Sequence, residues 1–117
     1  MKKKLLLLLA IGMLLGCEAI FVDNISNTTV TILAPTTGTT VSAGTTNFNW
    51  NAVDAADLYQ IQIATPNFSN ASQIVVDTTV TKTSFSKNMT IGNYQWRVKA
   101  LNSDYQTRFT ITSFEVN

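Results

Sequence analysis

In residues 93–101, NYQWRVKAL, polar and apolar side chains alternate as far as Ala100. The apolar set contains two aromatic residues: Tyr94, Trp96, Val98 and Ala100. Successive side chains of a β-strand point to opposite faces, so this alternation predicts a strand with one buried face. A helix over these residues is excluded, because its apolar positions would recur every three to four residues.

Similar short runs recur along the chain, separated by turn-forming residues. They occupy residues 29–33, 45–50, 58–64, 73–76, 82–86 and 107–116. Their spacing, together with the absence of helical periodicity, predicts an all-β domain over residues 28–117. The expected fold is a seven-stranded antiparallel sandwich of two sheets, with residues 36–40, TTGTT, in a loop between strands.

The N-terminal segment has a different character. Three lysines at positions 2–4 precede eleven apolar residues, 5–15. A membrane-spanning helix needs about 20 apolar residues, so this run is too short to cross a bilayer. The layout predicts a signal peptide over residues 1–16, forming a helix ahead of the β-domain.

The end of this segment resembles the lipobox of bacterial lipoproteins. Residues 14–17, LLGC, place a small residue directly before Cys17, the sole cysteine of the chain. The resemblance implies cleavage before Cys17 and lipidation of its sulfur, so that residues 17–27 form a lipidated tether and the membrane is a partner. Glu18 is not the aspartate of inner-membrane retention, and by analogy with Gram-negative sorting we expect the outer membrane, on its periplasmic or surface face.

Composition excludes several functions. Removing the three leader lysines leaves five basic residues against seven acidic ones, a net charge near −2. A nucleic-acid partner is therefore not expected, because such proteins need a basic surface. The chain has no histidine, and its carboxylates form no ligand pattern, so we expect no enzyme activity, no metal and no cofactor.

The β-domain resembles bacterial fibronectin type III-like domains. The similar elements are Trp50 at the end of a strand, the Tyr-x-Ile-x-Ile strand from Tyr59, the Pro-Asn-Phe-Ser loop at 66–69 and the Tyr-x-Trp-Arg-Val-x-Ala strand from Tyr94. The resemblance covers about residues 29–116. It implies a tyrosine corner at Tyr94, a core in which Trp50 packs near Trp96, and an edge-closing role for Phe68.

Five residues are candidates for ligand contact. Phe68 and Tyr105 are aromatic residues in polar loops, whereas Gln60, Gln62 and Arg97 lie on the outward phase of their strands. We favour the alternative in which the polar residues form an ordinary solvated face and Phe68 is structural. We expect a non-catalytic envelope module that binds protein partners or acts as a spacer. The alternatives are a carbohydrate-binding surface lipoprotein of a polysaccharide-uptake system and the N-terminal module of a longer lipoprotein.

Overall fold

The computed structural model describes residues 21–117, which form eight β-strands. The strands are β1 (Ile32–Ala34), β2 (Thr39–Val41), β3 (Gly44–Trp50), β4 (Leu58–Thr65), β5 (Gln73–Val80), β6 (Ser84–Met89), β7 (Gly92–Leu101) and β8 (Thr110–Val116). No helix within these residues is long and apolar enough to cross a membrane. The expected signal helix and Cys17 lie outside the described residues.

The strands form two sheets that face each other. The smaller sheet has the order β1-β3-β6 and the larger one β2-β8-β7-β4-β5. The two-sheet all-β architecture predicted from the alternation is confirmed. Two details were wrong: there are eight strands, and β2 pairs with β8 in parallel, not antiparallel.

The missed strand, β2, comprises three residues that follow the turn at Gly38. Its backbone pairs with residues 114–116, near the C-terminal end of the sequence. Gly38 has a φ of +82°, a conformation that favours glycine, and its N–H donates to the carbonyl of Ser113. The threonine-rich sequence lacks an apolar alternation of its own, and a contact this distant in sequence leaves no local pattern.

The core lies between the sheets and contains the inward-facing sets predicted from the sequence. Phe48, Trp50, Ile61, Ile63, Trp96 and Val98 are all at most 1% exposed. The ring centroids of Trp50 and Trp96 are 6.1 Å apart, which confirms their expected proximity. Phe48 packs edge-on against Trp96, with 5.1 Å between centroids. These rings supply much of the apolar area removed from water.

The hydroxyl of Tyr94 donates a hydrogen bond to the carbonyl of Thr90 at 2.9 Å. This contact confirms the expected tyrosine corner, and the ring behind it stacks on Phe114. A second tyrosine does the opposite: the hydroxyl of Tyr59 accepts a bond from the backbone N–H of Val53 at 2.9 Å. Both residues join a loop to a strand through a buried ring.

The chain enters and leaves the domain at opposite ends of the larger sheet. The Asn102 amide, just after β7, donates to the carbonyls of Asp23 and Ala55. At the other end, the backbone of Asn117 bonds with Val41 and Ala43. Ile25 is 3% exposed and belongs to the core. The packed domain therefore includes part of the segment expected to be tether.

Candidate functional site

The outer face of the larger sheet carries a row of side chains from four neighbouring strands. Arg97 on β7 lies opposite Ile111 on β8 and Gln62 on β4, and Gln62 lies opposite Asp77 on β5. These positions alternate with buried residues, so the pleat directs them away from the core. The candidate site is therefore built on a rigid sheet, which fixes the spacing of its side chains.

Arg97 is the centre of this face. Its Cζ lies 4.0 Å from the ring centroid of Phe68 and 4.4 Å from that of Phe109. Its Nε donates a hydrogen bond of 2.7 Å to Oε1 of Gln62. A cation over an aromatic ring is attracted by the electron density of the ring face. The side chain of Arg97 is thus held in one position by two rings and an amide, a group that we call the arginine stack.

Phe68 reaches Arg97 because its loop folds back over the sheet. The backbone N–H of Phe68 donates to Oε1 of Gln95 at 2.9 Å, and the Gln95 amide in turn donates to the hydroxyl of Ser113. The Asn67 side chain accepts a bond from the backbone N–H of Asn70, which closes the loop. Phe68 is half-buried on the outer face. Its contact with Arg97 places it against the outer face of the larger sheet, and its expected edge-closing role stays a prediction.

Gln60 and Gln62 connect the arginine stack to β5. The Gln60 amide donates to the Asp77 carboxylate at 2.9 Å. This hydrogen bond is the main cause that lowers the pKa of Asp77, with contributions from Gln62 and from the charges of Arg97 and Lys99. The polar part of the face is therefore largely satisfied by its own members.

The structure brings four of the five candidate residues together: Phe68, Gln60, Gln62 and Arg97. Tyr105 lies elsewhere, in the connection between β7 and β8. Its backbone contacts Asn102 at the end where the chain enters the domain, and its side chain is 37% exposed. Tyr105 is therefore not a member of the arginine stack.

Two apolar residues of the face, Phe109 and Ile111, were missed in the sequence. Phe109 is half-buried against Arg97, and Ile111 is 49% exposed. A signal was present, because in residues 107–116 both alternating sets contain apolar side chains. A strand with one core face and one solvated face would not need the second set.

A catalytic or metal site does not emerge from the described part of the chain. Among residues 21–117, no three histidine, cysteine, aspartate or glutamate side chains are grouped so as to hold a metal ion. The buried indole N–H of Trp96 is satisfied by the carbonyl of Pro35 at 3.0 Å. What the face offers chemically is recognition: aromatic rings, a fixed guanidinium and amides.

Among the comparisons with known proteins, those with solved structures show the fold. No model of a known protein family matches the sequence, and no curated protein does. Solved structures do match. The fibronectin(III)-like modules of CbhA from Clostridium thermocellum share 13% identity at a TM-score of 0.54, covering 75% of this chain and 95% of theirs.

Two further structures give the same result. The protein FN3tt matches at 15% identity and a TM-score of 0.54, covering 77% of this chain and 97% of its own. The fn3 domain of the human collagen alpha-1(XX) chain matches at 13% identity and 0.55, covering 74% of this chain and 79% of its own. The domain therefore has a fibronectin type III-like fold. The fold alone does not identify a function.

Proposed function

We propose that this protein is a lipid-anchored envelope module that binds a protein partner through the outer face of its larger sheet. The observation that carries the proposal is the arginine stack. Arginine and aromatic residues are enriched where binding energy concentrates in protein interfaces. Here Arg97, Phe68 and Phe109 are held in place before any partner arrives, so little side-chain freedom remains to be lost on binding.

The composition of the face favours a protein over a sugar. Exposed Ile111 lies beside the stack. Arginine grouped with aromatic and apolar side chains, with glutamines next to them, is typical of the composition of protein interfaces. Stacking on a sugar ring needs an open aromatic face. Arg97 covers one face of each of the rings of Phe68 and Phe109, and both side chains are half-buried, so less open ring area remains for a sugar.

Site-specific crosslinking tests this face. A photoreactive amino acid replaces Ile111 in living cells, and the matched control carries it at Asn47, which is exposed on the other sheet. We expect a discrete crosslinked protein from position 111, lost in an Arg97→Met background and absent from position 47. Equal crosslinking from both positions would overturn the proposal. Selective glycan binding by the purified protein that depends on Phe68 would favour the carbohydrate-binding alternative instead.

The anchor is a separate part of the proposal. Lipidation of Cys17 would place the domain at the outer membrane. Because Ile25 is buried, the tether expected over residues 17–27 would end before that residue. Cells grown with a tagged palmitate analogue should label the wild-type protein and not the Cys17→Ala variant. Labelling of both variants would refute the anchor and leave the binding face untouched.

A further inference from the structure

A groove of about 910 Å³ lies beside the arginine stack. One wall is the entering segment, residues 26–29, and the other is residues 106–109, just before β8. Phe109 and Lys99 line it as well, so the groove is continuous with the outer face. Within residues 21–117, no backbone hydrogen bond joins its two walls.

The groove is positively charged. Lys99 and Arg108 line it, and no aspartate or glutamate does. The remaining lining consists mainly of hydroxyl and amide side chains from Ser26, Asn27, Thr28, Thr29 and Gln106. These groups can donate hydrogen bonds to carboxylates or to peptide carbonyls.

The wall that carries Arg108 is fixed by a buried threonine. The Thr107 hydroxyl accepts a bond from the backbone N–H of Ala100 at 3.0 Å and donates one to the carbonyl of Arg108 at 2.9 Å. The Thr110 hydroxyl donates to the carbonyl of Val30 at 2.7 Å, which joins β8 to the residue directly after the opposite wall. The groove therefore does not depend on a ligand to keep its shape.

From these observations we infer that the groove binds an extended acidic peptide segment. The inference rests on the proposed protein-binding function and names the chemistry of the partner. The absence of backbone bonds between the walls suits a strand-like guest, and Lys99 and Arg108 suit its carboxylates. An acidic sugar fits less well, because sugar recognition commonly uses an open aromatic face, and the Phe109 ring that lines the groove already contacts the Lys99 ammonium at 4.6 Å and the Arg97 guanidinium at 4.4 Å.

Fluorescence anisotropy with the purified full-length protein tests the inference. The probe is a labelled decapeptide that alternates glutamate with threonine, and its control has glutamine in place of glutamate. We expect binding of the acidic probe that weakens with added salt. Lys99→Met and Arg108→Met should each reduce its affinity about two- to fivefold, the range for a partly solvated ion pair. Thermal unfolding of each variant confirms that it is folded.

The matched controls are Lys82→Met and Lys87→Met, which remove the same charge outside the groove. Unchanged affinity in both controls supports a local site. Equal losses in all four variants would mean general attraction to positive charge and would overturn the inference. Two further probes, an oligogalacturonate and anionic lipid vesicles, would overturn it if they bound with the same Lys99 and Arg108 dependence while the peptide did not.

The two proposals fail separately. Crosslinking from Ile111 without peptide binding in the groove would remove the acidic-peptide inference and leave the outer-face proposal standing. Peptide binding that depends on Lys99 and Arg108, without any crosslink from Ile111, would remove the outer-face proposal and leave the acidic-peptide inference standing.

Discussion

Replacing Arg97 by methionine tests whether the arginine stack contributes to stability as well as shape. The substitution keeps most of the unbranched stem and removes the guanidinium. A cation over an aromatic ring at an exposed site contributes about 0.5–1 kcal/mol, and Arg97 makes two such contacts. We therefore expect the free energy of unfolding to fall by about 1–2 kcal/mol. Loss of the hydrogen bond to Gln62 adds little to this, because water can replace the guanidinium as the partner of the Gln62 amide oxygen. In a domain of this size, the decrease in unfolding free energy lowers Tm by about 4–8 °C per kcal/mol.

Urea and thermal unfolding of the purified protein measure this change. Arg97→Lys keeps the charge but not the planar group, so we expect it to recover about half of the loss. Combined with Phe68→Leu in a double-mutant cycle, Arg97→Met should show a coupling of about 0.5–1 kcal/mol. Arg108→Met, at an exposed position, is the control and should change stability by less than about 0.5 kcal/mol. A coupling of zero would refute the reasoning.

Three further predictions concern the framework around the face. Tyr59→Phe leaves the buried N–H of Val53 without an acceptor and should cost about 1–3 kcal/mol of unfolding free energy. Tyr94→Phe should cost only about 0.5–1.5 kcal/mol, because the carbonyl of the exposed residue Thr90 can bind water instead. Equal costs in urea unfolding would contradict this distinction. Ile25→Ala should lower the free energy of unfolding by about 2–4 kcal/mol, because the Ile25 side chain is in the core. A decrease below about 0.5 kcal/mol would mean that Ile25 does not belong to the core. Asp77→Asn should destabilise by at most about 0.5 kcal/mol at neutral pH, where an exposed pair is screened. Because the folded pKa of Asp77 lies below its ordinary value of 3.8, that contribution is complete above 3.8 and is lost as the pH falls through the folded pKa. A gap between the two proteins that persisted in stronger acid would contradict it.

The core of the fold was predictable because its information is local. In β3, β4 and β7, the period of two places Phe48, Ile61 and Trp96 inward, and each strand shows this without knowledge of its neighbours. β2 was not predictable, because its three residues are strand only through their parallel pairing with β8. Local alternation cannot indicate a partner more than 70 residues away.

The candidate site was predictable only in part. The outward phase of the predicted strands indicated Gln60, Gln62 and Arg97, and the position of an aromatic residue in a polar loop indicated Phe68. Whether these residues meet depends on how the loop folds. The hydrogen bond from the Phe68 N–H to the Gln95 side chain holds the loop over the sheet, and the sequence does not predict this bond. Phe109 was not predicted as a site residue, because both alternating sets of residues 107–116 contain apolar side chains and the inward phase of that run is ambiguous.

The parallel pairing of β2 with β8 has a mechanical consequence. Tension applied at residue 117 and opposed at residue 21 would run roughly along the strand axes, because the chain enters and leaves at opposite ends of the larger sheet. β8 is held on both sides, by β2 and by β7. Its hydrogen bonds lie across the pulling direction, so they would have to break together in shear and could not open one at a time. The domain should therefore resist being stretched along its length better than being peeled from its C-terminal strand sideways.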